Sequence, residues 1–157
     1  MKHQKKFMRE AIRLSLENVQ SGKGGPFGAV IVKNGEMIAT GVNEVTGTND
    51  PTAHAEIIAI RNGCEKLDSF QLDDCEIYCS CEPCPMCLGA IYWARLKAVY
   101  FANTKKDAAE INFDDNFIYQ EMGLSINERK LPTIQLLRDE AQSAFIQWQK
   151  NDNKMDY

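Results

Sequence analysis

Apolar residues recur every three to four positions near the start of the chain. Charged residues separate them, and the apolar set between residues 5 and 20 is Phe7, Met8, Ala11, Ile12, Leu14, Leu16 and Val19. This spacing predicts an amphipathic helix. The stretch 21–26, SGKGGP, ends it, because glycine and proline both disfavour further helical turns.

Two short apolar runs follow and flank the pair Asn34-Gly35. Residues 27–33 and 36–42 have the length and the β-branched content of strands. Asn-Gly is typical of a type I′ turn, in which both central residues take positive φ angles. The sequence therefore predicts a tight β-hairpin.

The remainder of the chain alternates between helix and strand patterns. Asp50-Pro51-Thr52 predicts a helix start, with proline at or near the first helical position, and this helix extends to Leu67. We expect strands over 76–80, 97–102 and 133–137, and helices over 85–95, 115–122 and 140–150. This order predicts an α/β fold, a three-layer α/β/α domain with a mixed central sheet. At 157 residues, we expect one domain over residues 1–157.

Composition narrows the functional classes. Lys and Arg total 18 against 22 Asp and Glu, a net charge of −4. This balance does not favour a protein whose whole surface binds nucleic acid or anionic lipid. The basic start, MKHQKKFMRE, has no apolar run after it, and no later run is long enough to span a membrane. We therefore expect a soluble, cytoplasmic protein.

Cysteines cluster in one short segment. Of the six in the chain, Cys79, Cys81, Cys84 and Cys87 fall within nine residues. In a reducing compartment such a cluster indicates metal binding or catalysis rather than disulfides.

Cys84 and Cys87 lie at the start of the predicted helix over 85–95. Because residues three apart share one face of a helix, both sulfurs can face a single point. Pro85 suits an early helical position, and the positive helix N-terminus stabilises thiolates. Together with His54 they form a ligand set that zinc favours. Three protein ligands leave a fourth position open for water, as in catalytic zinc sites.

Glu56 lies two residues after His54. In mid-helix these side chains would point to roughly opposite sides, so the spacing suits a metal that lies off the N-terminal end of the helix. There the carboxylate could reach a zinc-bound water without binding the metal, and it could carry a proton to a leaving group. His-x-Glu followed by Pro-Cys-x-x-Cys is the signature of zinc-dependent base deaminases.

The same residues admit other interpretations. A lone Cys-x-x-Cys pair is more often redox-active or a structural zinc site, and a lone histidine is more often a polar group with a hydrogen-bond partner. Cys81, Cys84 and Cys87 match part of an iron–sulfur pattern, but Ile91 stands where that pattern needs its fourth cysteine. The complete combination favours catalytic zinc.

Four segments carry a resemblance to a known superfamily: GGPFGAVIV (24–32), TNDPTAHAEIIAIR (48–61), SCEPCPMCLGAIYWAR (80–95) and FDDNFIY (113–119). The chain resembles the cytidine and deoxycytidylate deaminases and, within them, the bacterial guanine deaminases. Cys79 departs from the usual pattern, and we interpret it as a buried strand residue.

The resemblance implies a cytidine deaminase-like fold and one Zn²⁺ per subunit. By that resemblance His54, Cys84 and Cys87 hold the zinc, and Glu56 is the catalytic proton carrier. The implied reaction is hydrolysis of guanine to xanthine and ammonia, a step of guanine catabolism.

The resemblance also implies contacts to a purine base. The implied residues are Asn43, Ala55 (through its backbone N–H), Phe27, Asp115, Trp93 and Tyr157. Structural roles compete with several of these: a turn for Asn43, core packing for Phe27, and a helix cap for Asp115. Core packing is the default for Trp93 and its neighbour Tyr92, and Tyr157 lies at a chain end, where residues are often mobile.

The resemblance further implies a homodimer, with a C-terminal segment that packs on or swaps with a partner. Rival functions are a transfer-RNA adenosine deaminase, a cytosine-type deaminase and a non-enzymatic structural-zinc binding module. An RNA enzyme should carry a basic face, yet residues 107–157 hold ten acidic and five basic residues. A binding module would leave Glu56 without a role. We therefore expect a small-molecule substrate, with no nucleic acid and no membrane as partner.

Overall fold

The computed structural model of the chain describes residues 2–157, with side chains from residue 4 onward. The helices are α1 (Lys2–Gln20), α2 (Val45–Thr48), α3 (Ala55–Leu67), α4 (Pro85–Trp93), α5 (Lys105–Glu110), α6 (Asn116–Gly123) and α7 (Arg138–Gln149). The strands are β1 (Gly28–Lys33), β2 (Glu36–Val42), β3 (Cys75–Cys81) and β4 (Ala98–Asn103). The residues fall into two compact units, one up to Asn116 and one from Phe117 to Tyr157.

The strands form one sheet in the order β2-β1-β3-β4. β1 pairs antiparallel with both β2 and β3, whereas β3 and β4 are parallel, so the sheet is mixed as predicted. The predicted hairpin is also confirmed: Asn34 and Gly35 have φ angles of 52° and 79°, as a type I′ turn requires.

Helices cover both faces of this sheet. Successive residues of a strand point to opposite faces, so Ile31 and Val32 of β1 enter two different cores. On one face α1 packs Phe7 and Ala11 against Val30, Val32 and Tyr78. On the other face, residues of α3 and α4 join the core that contains Ile31. The predicted three-layer α/β/α architecture is thereby confirmed.

The helix predicted to begin at Asp50-Pro51-Thr52 begins at Ala55, so that predicted start was wrong. The Asp50 carboxylate accepts hydrogen bonds from the N–H of Thr52 at 2.8 Å and from its hydroxyl at 2.7 Å. The N–H of Ala53 donates to the Asp50 carbonyl. These bonds hold Pro51 in a turn, and they leave His54 as the last residue before the helix.

The second unit contains most of α6, a 3₁₀ turn (Ile126–Glu128) and α7. The helices predicted over 115–122 and 140–150 are confirmed within two residues. The strand predicted over 133–137 was wrong: these residues have no regular structure, and Leu137 takes a left-handed conformation with φ 53°. Apolar residues alone do not make a strand without a neighbouring backbone to pair with. None of the helices within residues 2–157 combines the length and hydropathy that a bilayer requires.

Candidate metal centre and active site

Two helix N-termini supply the candidate metal ligands. His54 immediately precedes α3 and Cys84 immediately precedes α4, both in extended conformation with ψ angles of 156° and 169°. Pro85 occupies the start of α4, where its missing N–H has no cost. Cys87 lies in the first turn of the same helix. The cysteine spacing at a helix start is therefore as the sequence predicts.

The three side chains converge. The Nδ1 atom of His54 lies 3.6 Å from Sγ of Cys84 and 3.5 Å from Sγ of Cys87. All three ligand atoms lie within 4.8 Å of one another. In a tetrahedral zinc site, bond lengths of about 2.3 Å to sulfur and about 2.05 Å to nitrogen place these atoms about 3.6 Å apart. The cluster thus has the donor types and the spacing that zinc requires.

The electrostatics of the cluster favour thiolate. Hydrogen bonds from Cys87 and His54 lower the pKa of Cys84 to about 4. The pKa of Cys87 is raised because its thiol donates to Cys84 and is buried. The pKa of His54 is raised, chiefly by its hydrogen bond with Cys84. Without a metal, the two sulfurs therefore share a single proton. A divalent cation would replace that proton, because metal ligands must be deprotonated.

Glu56 lies beside this cluster, in the first turn of α3. Its side chain is buried, and this burial is the main cause of its raised pKa. The carboxyl group also interacts with Cys87. Because His54 lies before the helix rather than within it, both side chains can face the helix N-terminus. A buried acid of raised pKa next to a metal site is suited to accept and return a proton.

Ala55 and Asn43 lie close to the cluster in the chain. Ala55 is the first residue of α3 and is buried, and N–H groups in a first helical turn have no partner within their own helix. Asn43 is also buried, and its Oδ1 atom accepts from the N–H groups of Gly25 at 3.4 Å and Val45 at 3.3 Å. With the oxygen engaged in this way, the contact that Asn43 can offer a purine edge is donation from Nδ2.

Phe27 and Asp115 lie on separate segments of the first unit. Phe27 is half-buried, and its ring meets that of Phe113 edge to face with 5.0 Å between centroids. Asp115 is partly exposed. Its pKa is raised by burial and next by repulsion from Cys84. Asp115 therefore lies close enough to Cys84 for the two charges to interact. Asp115 also lines a cavity of about 340 Å³ next to α5.

The expectation that Tyr92 and Trp93 pack in the core was wrong. These side chains, in the last turn of α4, are 72% and 64% exposed. Tyr157 lies in the second unit and is 70% exposed. Cys79 is buried in β3, as predicted.

Two residues near the site had no assignment from the sequence. Phe113 contacts Phe27 and stands two positions before Asp115. Its closeness in sequence to Asp115 could have marked it as a residue near the site. Asn18 is a buried polar residue on α1. It continues the stripe of Phe7, Ala11 and Leu14 at helical spacing, and a polar residue within a buried stripe is the pattern that could have revealed it.

The mixed sheet lies between helices, and three candidate metal ligands at two helix N-termini have a buried acid beside them. This combination is typical of metal-dependent hydrolases of the base-deaminase type. The family model for the cytidine and deoxycytidylate deaminase zinc-binding region matches residues 1–103. The chain belongs to this family.

Individual relatives show closer similarity. The chain is 56% identical over 151 residues to guanine deaminase of Bacillus subtilis, covering 96% of this chain and 97% of the relative. The X-ray structure of guanine deaminase from Bacillus subtilis superposes with a TM-score of 0.95 at 55% identity, covering 98% of both chains. A tRNA-specific adenosine deaminase of Aquifex aeolicus is 40% identical over 100 residues, covering 64% of this chain and 66% of the relative.

Proposed function

We propose that this chain hydrolyses guanine to xanthine and ammonia. The observation that carries the proposal is the 56% identity to a guanine deaminase over 96% of the chain. The position of Glu56 supports it, since a purely structural metal site has no use for a buried acid beside its ligands. The substrate is then a free purine base.

Zinc is the metal that we propose for the cluster, with one ion per subunit held by His54, Cys84 and Cys87. When bound, zinc supplies an activated water for attack on the substrate. The spacing of the ligand atoms and the low pKa of Cys84 support this choice.

Glu56 moves the protons in this proposal. Water forms a bond to C2 of guanine, the ring carbon that bears the amino group. Glu56 takes one proton from the water and delivers it to N3, the neighbouring ring nitrogen that carries no hydrogen. It then passes the second proton to the amino group, the C2–N bond breaks and ammonia leaves. A raised pKa suits a carboxyl group that alternates between the two states.

Six residues are proposed to bind the base. The N–H of Ala55 and the Nδ2 group of Asn43 donate to its polar edges, and Asp115 accepts from a ring N–H. Phe27 stacks on the ring plane, Trp93 lines the pocket, and Tyr157 closes the pocket of the neighbouring subunit. The burial of Ala55 and Asn43 and the electrostatic proximity of Asp115 to Cys84 support these roles.

A transfer-RNA adenosine deaminase is the second candidate, since relatives with that name match a large part of the chain. Acidic residues outnumber basic ones by ten to five over 107–157, which disfavours contact with a phosphate backbone. We therefore keep the free base as the substrate.

The deciding experiment is a substrate panel. Purified protein with measured zinc content is assayed for ammonia release from guanine, adenine, cytosine and their nucleosides, and for inosine formation in an RNA stem-loop. Guanine turnover, with the other substrates slower by orders of magnitude, is the expected result. Editing of the stem-loop without guanine turnover would transfer the protein to the second candidate.

We also propose a single functional domain over residues 1–157 that forms a homodimer, in which the second unit packs on or swaps with the partner subunit. Within the chain, large apolar side chains of this unit are exposed: Leu131, Ile134, Leu136, Leu137 and Phe145. Both α6 and α7, which lie wholly in the described part of the chain, have no buried residue. So much exposed apolar surface is typical of an interface.

The cytoplasm is the proposed location. All six cysteines are free thiols, which fits a reducing compartment.

A further inference from the structure

Asn18 lies on the buried side of α1 and joins two loops. One is the glycine-rich loop that contains Gly25, and the other follows β2 and contains Asn43. Its Nδ2 group donates to the carbonyl oxygen of Gly25 and to the carbonyl oxygen of Asn43, each at 2.9 Å. A side-chain amide has two N–H donors, so both are used. Asn18 itself is 4% exposed, which means that water cannot replace these bonds without local opening.

The two loops also contact each other directly. Asn43 donates its backbone N–H to the carbonyl of Phe27 at 3.2 Å, and its Oδ1 atom accepts from the N–H of Gly25. Gly24 makes this approach possible, because a Cβ atom there would lie 2.1 Å from the Asn43 carbonyl oxygen and 2.9 Å from Nδ2 of Asn18. No side chain larger than hydrogen fits at residue 24 without separating the loops.

These hydrogen bonds hold two proposed substrate-binding residues, Phe27 and Asn43, in fixed positions relative to each other. Phe27 directly follows the glycine-rich loop (residues 21–26) and Asn43 directly follows β2, so neither is held in place by a helix. The amide of Asn18 bonds to both segments from a third element, α1. Since α1 packs on β1 through Phe7 and Ala11, Asn18 transfers the rigidity of that helix to the loops.

We propose that Asn18 is a positioning residue for guanine: its bridge to Gly25 and Asn43 holds the stacking ring and the amide donor at the spacing that the base requires. Asn18 does not touch the substrate. The inference rests on the proposed function, in which Phe27 and Asn43 bind the base. An interaction that holds substrate and transition state equally affects KM and leaves kcat nearly unchanged.

Two variants perturb the bridge from opposite sides. Asn18→Leu removes both donors at similar volume, and Gly24→Ala pushes the Asn43 carbonyl away and crowds Nδ2 of Asn18 without a substitution on α1. Matched controls are Asn62→Leu, since Asn62 makes one exposed bond to the Thr40 carbonyl, and Gly47→Ala, since a Cβ there has only an ordinary contact at 3.6 Å. Steady-state kinetics with guanine, zinc content and melting temperature are measured for all four.

We expect both bridge variants to raise KM for guanine by ~10-fold, with kcat within ~3-fold of wild type, as for loss of uniform binding. Zinc content and both controls should match wild type. A fall in kcat and melting temperature with unchanged KM would overturn the proposal and leave Asn18 a structural residue. If Asn18→Leu does not fold, Gly24→Ala decides alone. Wild-type protein that does not deaminate guanine would instead overturn the proposed function, and the inference with it.

Discussion

The Nδ1 atom of His54 lies 3.6 Å from the Sγ atom of Cys84, although the two residues are 30 positions apart in the chain. Each is the residue immediately before a helix, so two helix N-termini meet at this point. The positive ends of both helices stabilise negative charge on the thiolates, and a metal bound there lies off the helix ends. Glu56, one residue into α3, can then reach the same space.

Zinc affinity should rise with pH. Without metal, the sulfurs of Cys84 and Cys87 share one proton and the pKa of His54 is raised, so zinc must displace protons in order to bind. As the pH falls, protons compete better and binding weakens. Calorimetric titration of metal-free protein in buffers of different ionisation enthalpy measures this release. Proton release of zero at pH 7 would contradict the proposed ligand set.

Glu56→Gln should retain zinc and lose turnover. The amide has nearly the same shape but cannot accept and return a proton, so we expect kcat for guanine to fall by ~10²–10⁴-fold. Glu65→Gln, on the exposed side of the same helix, is the matched control and should leave kcat unchanged. Zinc content and kcat are measured together. Full activity in Glu56→Gln would remove Glu56 as the proton carrier.

Asp115→Asn should impair guanine turnover without loss of stability. We expect kcat/KM to fall by ~10-fold or more, because a charged acceptor for the ring N–H is lost. Asp114→Asn is the control, since its side-chain oxygen can still accept from the N–H of Asn116. Asp115→Ala removes the oxygen that asparagine keeps, so a fall in melting temperature in Asp115→Ala equal to its loss of activity would indicate a helix cap instead.

The raised pKa of Asp115 also predicts a pH effect. The carboxylate that accepts from guanine is lost on protonation, and a raised pKa moves this loss to higher pH than for an ordinary aspartate. We therefore expect kcat/KM of the wild-type protein to decline at acidic pH. Asp115→Asn should lack the part of this decline that protonation of Asp115 causes. An unchanged acidic limb in Asp115→Asn would assign the decline to another residue.

The proposed swap predicts complementation between inactive chains. Glu56→Gln and Tyr157→Ala are each expected to be poorly active alone. If Tyr157 completes the partner's site, a mixed dimer has one site with both Glu56 and Tyr157. After unfolding and refolding together, the mixture should recover roughly a quarter of wild-type activity, since half of random dimers are mixed and one of their two sites is complete. Mixing without recovery would contradict a site shared between subunits.

Several features could be predicted from the sequence because interactions between nearby residues decide them. Asn34-Gly35 specifies its turn because both residues tolerate positive φ, and the short β-branched apolar run at 27–33 predicts the strand β1. The motif around Cys84 and Cys87 likewise carries its own geometry, since Pro85 and the three-residue spacing fix a helix start. These predictions hold because the interactions that decide them lie within a few residues.

Other features departed from the predictions, one through a local turn and two through contacts with distant segments that did not form. The Asp50 turn displaced the start of α3 to Ala55, the apolar run 133–137 found no strand to pair with, and Trp93 remains exposed at the end of α4.

The sequence by itself determined the mixed α/β fold and the set of candidate metal ligands, because periodicity and motif spacing are local properties. Tertiary structure alone decided that His54 meets Cys84 and Cys87 at 3.5–3.6 Å. It also decided that Asn18 bridges Gly25 and Asn43. Such contacts form only when the sheet and its two helical layers pack, because a buried hydrogen bond needs both partners enclosed by the same core.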